Sequence, residues 1–223
     1  MAEQRALVIG ASGGIGAAFA QRLGGQGWQV TGLSRSGTGF DITDEPAIAA
    51  ALAPLEPGYD LILVATGALA PKGGRPEKAM SALDPAALAA QFALNATGPA
   101  LVLKHCIRLL PRDRRSVFAA LSARVGSIGD NELGGWYSYR ASKAALNQFI
   151  HTGATEVARS HRQAVVVTLH PGTVATAFTA NYQSSHPTVS PAIAAENLQR
   201  VLQNLTAKDT GGFFDWQGAR IPW

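Results

Sequence analysis

The sequence predicts an α/β fold: a single doubly wound domain, residues 1–223, with a parallel sheet of about seven strands and helices on both faces. Three observations predict it. Short apolar runs alternate along the chain with stretches of helical periodicity. The first run ends in a glycine-rich turn, Gly10 to Gly16, that opens directly into a helix. The length of 223 residues suits one sheet-and-helix domain, and 47% hydrophobic against 15% charged residues is enough apolar side chain for a large core.

Composition narrows the function classes. Net charge is +4 and the pI is near 9.5, a balance that suits an anionic ligand such as a dinucleotide. Arg112, Arg114 and Arg115 cluster, but Asp113 interrupts them. That pattern reads as a solvated loop end, so no nucleic-acid partner is expected. Cys106 is the one cysteine, which excludes an intrachain disulfide. It falls in an apolar helical run, where a buried inert thiol is the ordinary state. No apolar run approaches ~18 residues, so no membrane span is expected. The first strand reads from Arg5, so no secretory leader is expected. A cytoplasmic protein is the expectation. The five histidines lack metal-ligand spacing, so no metal site is expected.

Chemistry concentrates in Tyr139-Arg140-Ala141-Ser142-Lys143, inside a run that reads as helix to about residue 160. Tyrosine and lysine four apart lie on one helical face, one turn apart. An ammonium beside a phenol stabilises the phenolate, which makes the pair a candidate proton donor. The turn Gly10-Ala11-Ser12-Gly13-Gly14-Ile15-Gly16 together with Tyr139-x-x-x-Lys143 resembles the short-chain dehydrogenase/reductase family, over essentially the whole chain. Within it, Gly134 to Arg140 and Gly211 to Trp216 are similar to the C-factor and sniffer-type carbonyl reductases. The resemblance implies a Rossmann-like domain and an oxidoreductase. Hydride would move between a nicotinamide and a small carbonyl or alcohol substrate, with Tyr139 as proton donor or acceptor. Lys143 would lower the tyrosine pKa and bond the nicotinamide ribose. The family also implies a homodimer or homotetramer built on the helices holding Asn95 and Tyr139. A non-catalytic NADP(H)-binding sensor or signalling protein on the same fold is the competing reading.

The elements follow in order. Arg5 to Gly10 reads as a buried parallel strand, and the helix from Gly14 carries Ile15, Phe19 and Leu23 at helical spacing. Strand, glycine turn and helix N-terminus make an anion site for a pyrophosphate, assigned to Gly10, Ser12, Gly14, Ile15 and Gly16. Trp28 to Leu33 reads as the second strand. At its end an NAD-preferring fold places an acid for the ribose hydroxyls; here stands Ser34-Arg35-Ser36. A guanidinium and two hydroxyls suit a 2′-phosphate, so NADP(H) is expected over NAD(H). In the family an acid followed by an apolar residue lies under the adenine, and Asp41-Ile42 match that pair. Thr43 or Asp44 reads as the cap of a helix from about Pro46 to Ala53.

Tyr59 to Ala65 reads as the third strand, running into Thr66-Gly67 where the family carries asparagines. Ala65, Thr66 and Gly67 are assigned to the cofactor, with Gly67 letting the backbone approach the ribose. Residues 68–83 read as loop. Asp84-Pro85 starts a helix to about Leu110. Asn95 inside it, followed by Gly98-Pro99, is a local conflict of the kind found at functional sites. It matches a family asparagine at a helix kink, linked through water to the lysine.

Arg115 to Leu121 reads as the strand before the site. The family's carbonyl-polarising serine falls on Ala123, leaving Ser122, slightly favoured, or Ser127 as the hydroxyl. Ala164 to His170 is another buried strand, followed by Pro171-Gly172-Thr173-Val174-Ala175-Thr176. The resemblance places Pro171, Gly172, Val174 and Thr176 at the nicotinamide, the last two on its carboxamide. His170 has no acid beside it in sequence and is given no catalytic role. Residues 177–190 read as a mobile lid. Ser190-Pro191 cap a helix to about Leu205, and Gly211 to Trp216 read as the last strand. Trp216, Ile221 and Trp223 leave an apolar tail to be packed on its own core or on a partner.

Overall fold

Six parallel strands run in the order β2-β1-β3-β4-β5-β6. The computed structural model describes residues 3–70, 74–176, 179 and 188–223. The strands are β1 (Arg5–Ile9), β2 (Gln29–Leu33), β3 (Leu61–Val64), β4 (Ser116–Leu121), β5 (Ala164–His170) and β6 (Phe213–Asp215). About seven strands were expected, and the sheet has six among the described residues. Beyond β2 the chain turns instead of adding an edge. Gly39 is left-handed, and the Asp41 carboxylate accepts from the Thr43 N–H (2.9 Å) and hydroxyl (2.7 Å). That local turn uses donors a further strand would offer its neighbour.

Residue alternation builds two cores. Leu7, Ile9, Ile62, Phe118 and Val166 face α3 (Glu45–Leu52), α5 (Gly98–Cys106) and α6 (Tyr137–Ser160). Ala6, Val8, Leu63, Ala119 and Val167 face α1 (Gly14–Gly25) and α7 (Pro191–Asn204). Both faces are covered, which is why the strands read as continuous apolar runs. Each fully buried Leu, Ile or Phe stabilises by about 1.5–3 kcal/mol. Along β1 the order reverses: β2 lies on one side and β3 on the other. The crevice at the strand ends beside that switch is where such sheets bind ligands.

Two of the three expected caps bond through their side chains; Asp44 stands at the N-cap of α3 without a side-chain cap bond. The Asp84 carboxylate accepts from the Ala87 N–H at 2.7 Å, with Pro85 opening α4 (Pro85–Phe92). Ser190 caps α7 by accepting from the Ile193 N–H at 3.3 Å. The run read as one helix from Asp84 to Leu110 is three pieces: α4, a π-turn at Ala93–Thr97, and α5. Pro99 and Asn95 are the local cause, since a missing N–H and a mid-helix amide each weaken the regular ladder. The run Pro85–Leu109 is long and apolar enough to cross a membrane by length and composition, with a mean hydropathy of 1.4 over an 18-residue window. Its Val102, Leu103, Cys106 and Leu109 are nonetheless packed in the first core. Burial pushes the Cys106 thiol up to about 12, as its apolar setting predicted.

The tail settles on its own chain. Ile221 is buried, and Trp223 stacks on Phe213 at 6.0 Å and meets His151 edge-on at 5.2 Å. The arginine cluster is used locally too. Arg114 pairs with Asp60 at 2.9 Å, and Arg115 donates to the carbonyls of Leu202 (2.5 Å) and Leu205 (2.9 Å) at the end of α7.

Candidate active site

The glycine turn does what its spacing requires. Gly10 is left-handed, with its N–H donating to the Leu33 carbonyl at 2.8 Å. A Cβ on Gly16 would lie 2.2 Å from the Gly10 carbonyl oxygen, so only glycine lets α1 start against the turn. A Cβ on Gly14 would fall 2.6 Å from Thr176 Cγ2 and fill the gap between α1 and the segment after β5. Gly13, at the N-cap, brings no side chain to the first turn, and no acid stands there. The free N–H groups and the helix dipole are therefore left for an anion.

The turn is one end of a cavity of about 740 Å³. Of the predicted residues, Gly14, Ile15, Ala65, Thr66, Gly67, Ser122, Tyr139, Lys143, Pro171, Gly172, Val174 and Thr176 all line it. They come from the ends of β1, β3, β4 and β5 and from α6, so one crevice collects segments far apart in sequence. The Thr66 hydroxyl is buried there with no hydrogen-bond partner among the described residues. Gly10 and Gly16 shape the turn behind the wall, and Ser12 is exposed on it.

Tyr139 and Lys143 are both buried on one face of α6, with the Lys143 nitrogen 5.9 Å from the Tyr139 ring centre. Lys143 Nζ donates to the Leu121 carbonyl at the end of β4, 2.8 Å away. Burial acts on both groups: it raises the Tyr139 phenol above its ordinary value and pulls the Lys143 ammonium down to about 7. Gly67 passes beside them. A Cβ there would sit 3.1 Å from Asn95 Oδ1 and 3.4 Å from Lys143 Nζ. Asn95, buried in the π-turn, clamps the loop after β3. Its Oδ1 accepts from the Ala68 N–H (3.0 Å), and its Nδ2 donates to the Ala68 carbonyl (2.9 Å) and to Ser142 Oγ (3.2 Å).

The two candidate hydroxyls are separated by the fold. Ser127 accepts from the Asp130 N–H at 3.1 Å and does not line the cavity. Ser122 lines it, buried, with its hydroxyl unpartnered among the described residues. Along β4, Phe118 and Ala120 face the α6 side, and Val117, Ala119 and Leu121 the other. The same period carries Ser122 toward α6, the helix of Tyr139. Ala123 also lines the cavity, without a hydroxyl.

After β2, where the sequence reading placed the adenosine, Ser34 is buried and its hydroxyl accepts from the Gly37 N–H at 3.1 Å, capping α2 (Arg35–Thr38). Arg35 is exposed. Hydrogen bonds from the Thr43 backbone and hydroxyl hold Asp41 below its ordinary value. Ile42 is buried in the first core and does not line the cavity; a Cβ on Gly98 would sit 2.5 Å from its carbonyl oxygen. Of the expected lid, residues 177–178 and 180–187 lie outside the described residues.

Four residues to which the sequence reading gave no role in the site line the cavity or brace its wall. Trp136 lines the cavity in a left-handed conformation (φ 54°), 6.1 Å from the Tyr139 ring and edge-on to it. Glu77 holds that turn. Its carbonyl accepts from the Trp136 N–H at 2.6 Å, and its carboxylate accepts from the Ser138 hydroxyl and the Ser138 N–H (3.2 Å). It thus caps α6 from another loop, where the helix dipole favours an anion. Arg140 lines the cavity beside Tyr139. His170 lines it as well, its Nδ1 unpartnered among the described residues. Burial pushes that imidazole down to about 4, so it is neutral near pH 7. Its neighbour Asp215 gives its Oδ1 to the N–H groups of Gln217 and Ala219. Only the exposed-loop position of Glu77 and the charge of Arg140 were visible in sequence, and neither carried a spacing signal.

Known proteins share this fold. The family model described as short chain dehydrogenase matches residues 36–187. A 1-hydroxy-2-glutathionyl-2-methyl-3-butene dehydrogenase of Rhodococcus sp. (strain AD45) is 30% identical over 97% of this chain and 98% of its own. A short-chain dehydrogenase/reductase from Burkholderia multivorans, solved with bound NADP, superposes with a TM-score of 0.83 at 26% identity, covering 99% of this chain and 100% of that one. The carbonyl reductase Sniffer of D. melanogaster shares the fold with a TM-score of 0.85 at 22% identity, over 99% of this chain and 100% of its own.

Proposed function

Because the chain belongs to the short-chain dehydrogenase family and is an oxidoreductase, we propose that it is an NADP(H)-dependent carbonyl reductase with Tyr139 as proton donor. The observation that carries this is the convergence of the glycine turn, Ser122, Tyr139 and Lys143 on one cavity. The Burkholderia relative binds NADP, which supports the same cofactor here.

The residues present fit a dinucleotide. The open N-terminus of α1 and the glycine cradle at Gly14 suit a pyrophosphate. Arg35, exposed and with no acid next to it in sequence, suits a 2′-phosphate. Gly67, Thr66 and Lys143 suit the nicotinamide ribose, and Val174 and Thr176 its carboxamide. When bound, the reduced dinucleotide supplies the hydride that a carbonyl carbon accepts.

The chain's own groups do the rest. Ser122 holds the carbonyl oxygen by donating to it. Tyr139 gives its proton to that oxygen as charge develops there, yielding an alcohol. Lys143, as ammonium, stabilises the phenolate left behind. Asn95 holds the loop at Ala68 against Lys143, and its position suits a water-borne proton relay to it. Apolar walls from Leu69, Val125 and Trp136 exclude water.

Reduction of a carbonyl panel, followed at 340 nm with NADPH and with NADH, tests the reading. Arg35→Ala is expected to weaken NADPH binding about ten- to hundredfold and to leave NADH within about twofold. Equal wild-type affinity for the two cofactors by titration would remove the 2′-phosphate role. Assembly is proposed as a homodimer or homotetramer across the alanine-rich outer faces of α4, α5 and α6, where Phe149 is exposed. Light scattering at micromolar concentration should give twice or four times the chain mass; a monomer would refute it.

A further inference from the structure

We propose that the carbonyl substrate carries a carboxylate, which Arg140 binds inside the cavity. The inference rests on the reductase reading and names its substrate class. Among the described residues three cationic side chains line the cavity, Arg124, Arg140 and Lys143, and no Asp or Glu does. The three are not equivalent. Arg124 is already neutralised by Asp130, with Nε 2.5 Å from Oδ2. Lys143 is committed to the Leu121 carbonyl and stands 5.9 Å from the Tyr139 ring centre. Arg140 has no carboxylate within ion-pair distance among the described residues. The segments outside the description, 1–2, 71–73, 177–178 and 180–187, contain no Asp or Glu to supply one.

The guanidinium is nonetheless held in place. Nε donates to the Gly135 carbonyl at 3.0 Å, and Nη1 to the Val125 carbonyl at 3.4 Å. Those acceptors come from the two loops that flank the substrate end, one after β4 and one before α6. Nη2 has no acceptor among the described residues. A half-buried cation without a counter-ion is unfavourable, and burial already lowers the Arg140 pKa. An entering carboxylate relieves that cost and finds a planar donor fork that is already oriented.

The pyrophosphate of a dinucleotide does not need this arginine. It is served by the α1 N-terminus at the glycine end, whereas Arg140 follows Tyr139 directly in the chain. Between them the substrate end is apolar, with Leu69, Val125, Leu133 and Trp136 on the wall. The class that fits is an aldehyde or ketone with an apolar, preferably aromatic, body and a carboxylate away from the carbonyl.

The test uses 4-formylbenzoate and its methyl ester, compared by kcat/KM with saturating NADPH on wild type, Arg140→Gln and Arg140→Lys. The wild-type enzyme is expected to favour the acid over the ester by about ten- to hundredfold. Arg140→Gln should bring that ratio to about one, and Arg140→Lys should leave it in between. NADPH titration and the thermal unfolding midpoint check that each variant is folded. A wild-type ratio near one, or a preference that survives Arg140→Gln, overturns the proposal. If neither aldehyde is reduced, the reductase reading fails separately, and calorimetric titration of benzoate against benzamide onto the NADPH-loaded protein decides Arg140. Binding of benzoate that Arg140→Gln abolishes supports the anion site; equal binding of the two probes, or none, overturns it.

Discussion

Tyr139→Phe is expected to lower carbonyl turnover by about a hundred- to ten-thousandfold, with NADPH affinity within about twofold of wild type. The substitution removes one hydroxyl from a buried ring and keeps its packing against Trp136. Among the described residues nothing else in the cavity is placed to replace the proton. His170 has burial pulling it down to about 4 and is not protonated near pH 7. Lys143 is a weak substitute, its nitrogen being engaged with the Leu121 carbonyl. Stopped-flow measurement of NADPH oxidation checks the prediction. A variant retaining more than about a tenth of wild-type turnover would sink the assignment of Tyr139 as donor.

The same pair sets a pH dependence. Burial keeps the Tyr139 phenol protonated through the neutral range, which favours the reduction direction. Lys143 titrates near 7 in the folded chain against 10.5 in the unfolded one. Its ammonium is present below about 7 and is lost as pH rises, so kcat/KM for NADPH should fall above that pH. Stability runs the other way. Between about 7 and 10.5 the unfolded chain binds more protons at this site, so its contribution to stability grows with pH and is weakest below about 7. Lys143→Met should remove both dependences.

Ser122→Ala carries the second large effect, a loss of about ten- to a thousandfold in turnover with cofactor affinity nearly unchanged. Ser122 lines the cavity and its buried hydroxyl has no partner among the described residues, so donating to a carbonyl oxygen would cost it no other hydrogen bond. Ser127→Ala is the control. That hydroxyl accepts from the Asp130 N–H outside the cavity, and its loss should leave turnover within about threefold. Should both variants keep wild-type turnover while Tyr139→Phe is inactive, the oxygen is handled by Tyr139 alone. Ala123→Ser adds a hydroxyl at the cavity wall, and a rise in turnover would mean the native pocket lacks a donor there.

How far the site was legible depended on whether local pattern or distant contact places a residue. Tyr139 and Lys143 were legible because helical spacing alone puts them on one face. The kink at Asn95 was legible because a mid-helix asparagine before Gly-Pro conflicts with its own ladder. The choice between Ser122 and Ser127 was not, because it depends on which way a strand end points and on an Asp130 N–H. Ile42 was assigned to the adenine by its neighbour Asp41, yet it is buried in the core against Gly98. A β-branched apolar residue suits both settings, and sequence cannot separate them.

By itself the sequence determined the alternation of strand and helix, the anion-ready turn and the spacing of the proton-donor pair. Each is written in contacts between residues close in the chain, where backbone geometry and side-chain period decide the outcome. The tertiary structure decided the strand count, the packing of the tail and the make-up of the substrate end. Glu77 reaches Trp136 and Ser138 across some sixty residues of chain. Arg140 stands in a cavity where no acid answers it among the described residues. Such facts arise from burial and from the meeting of distant loops, and a linear sequence carries charge and periodicity but not which charges are left unpaired in the interior.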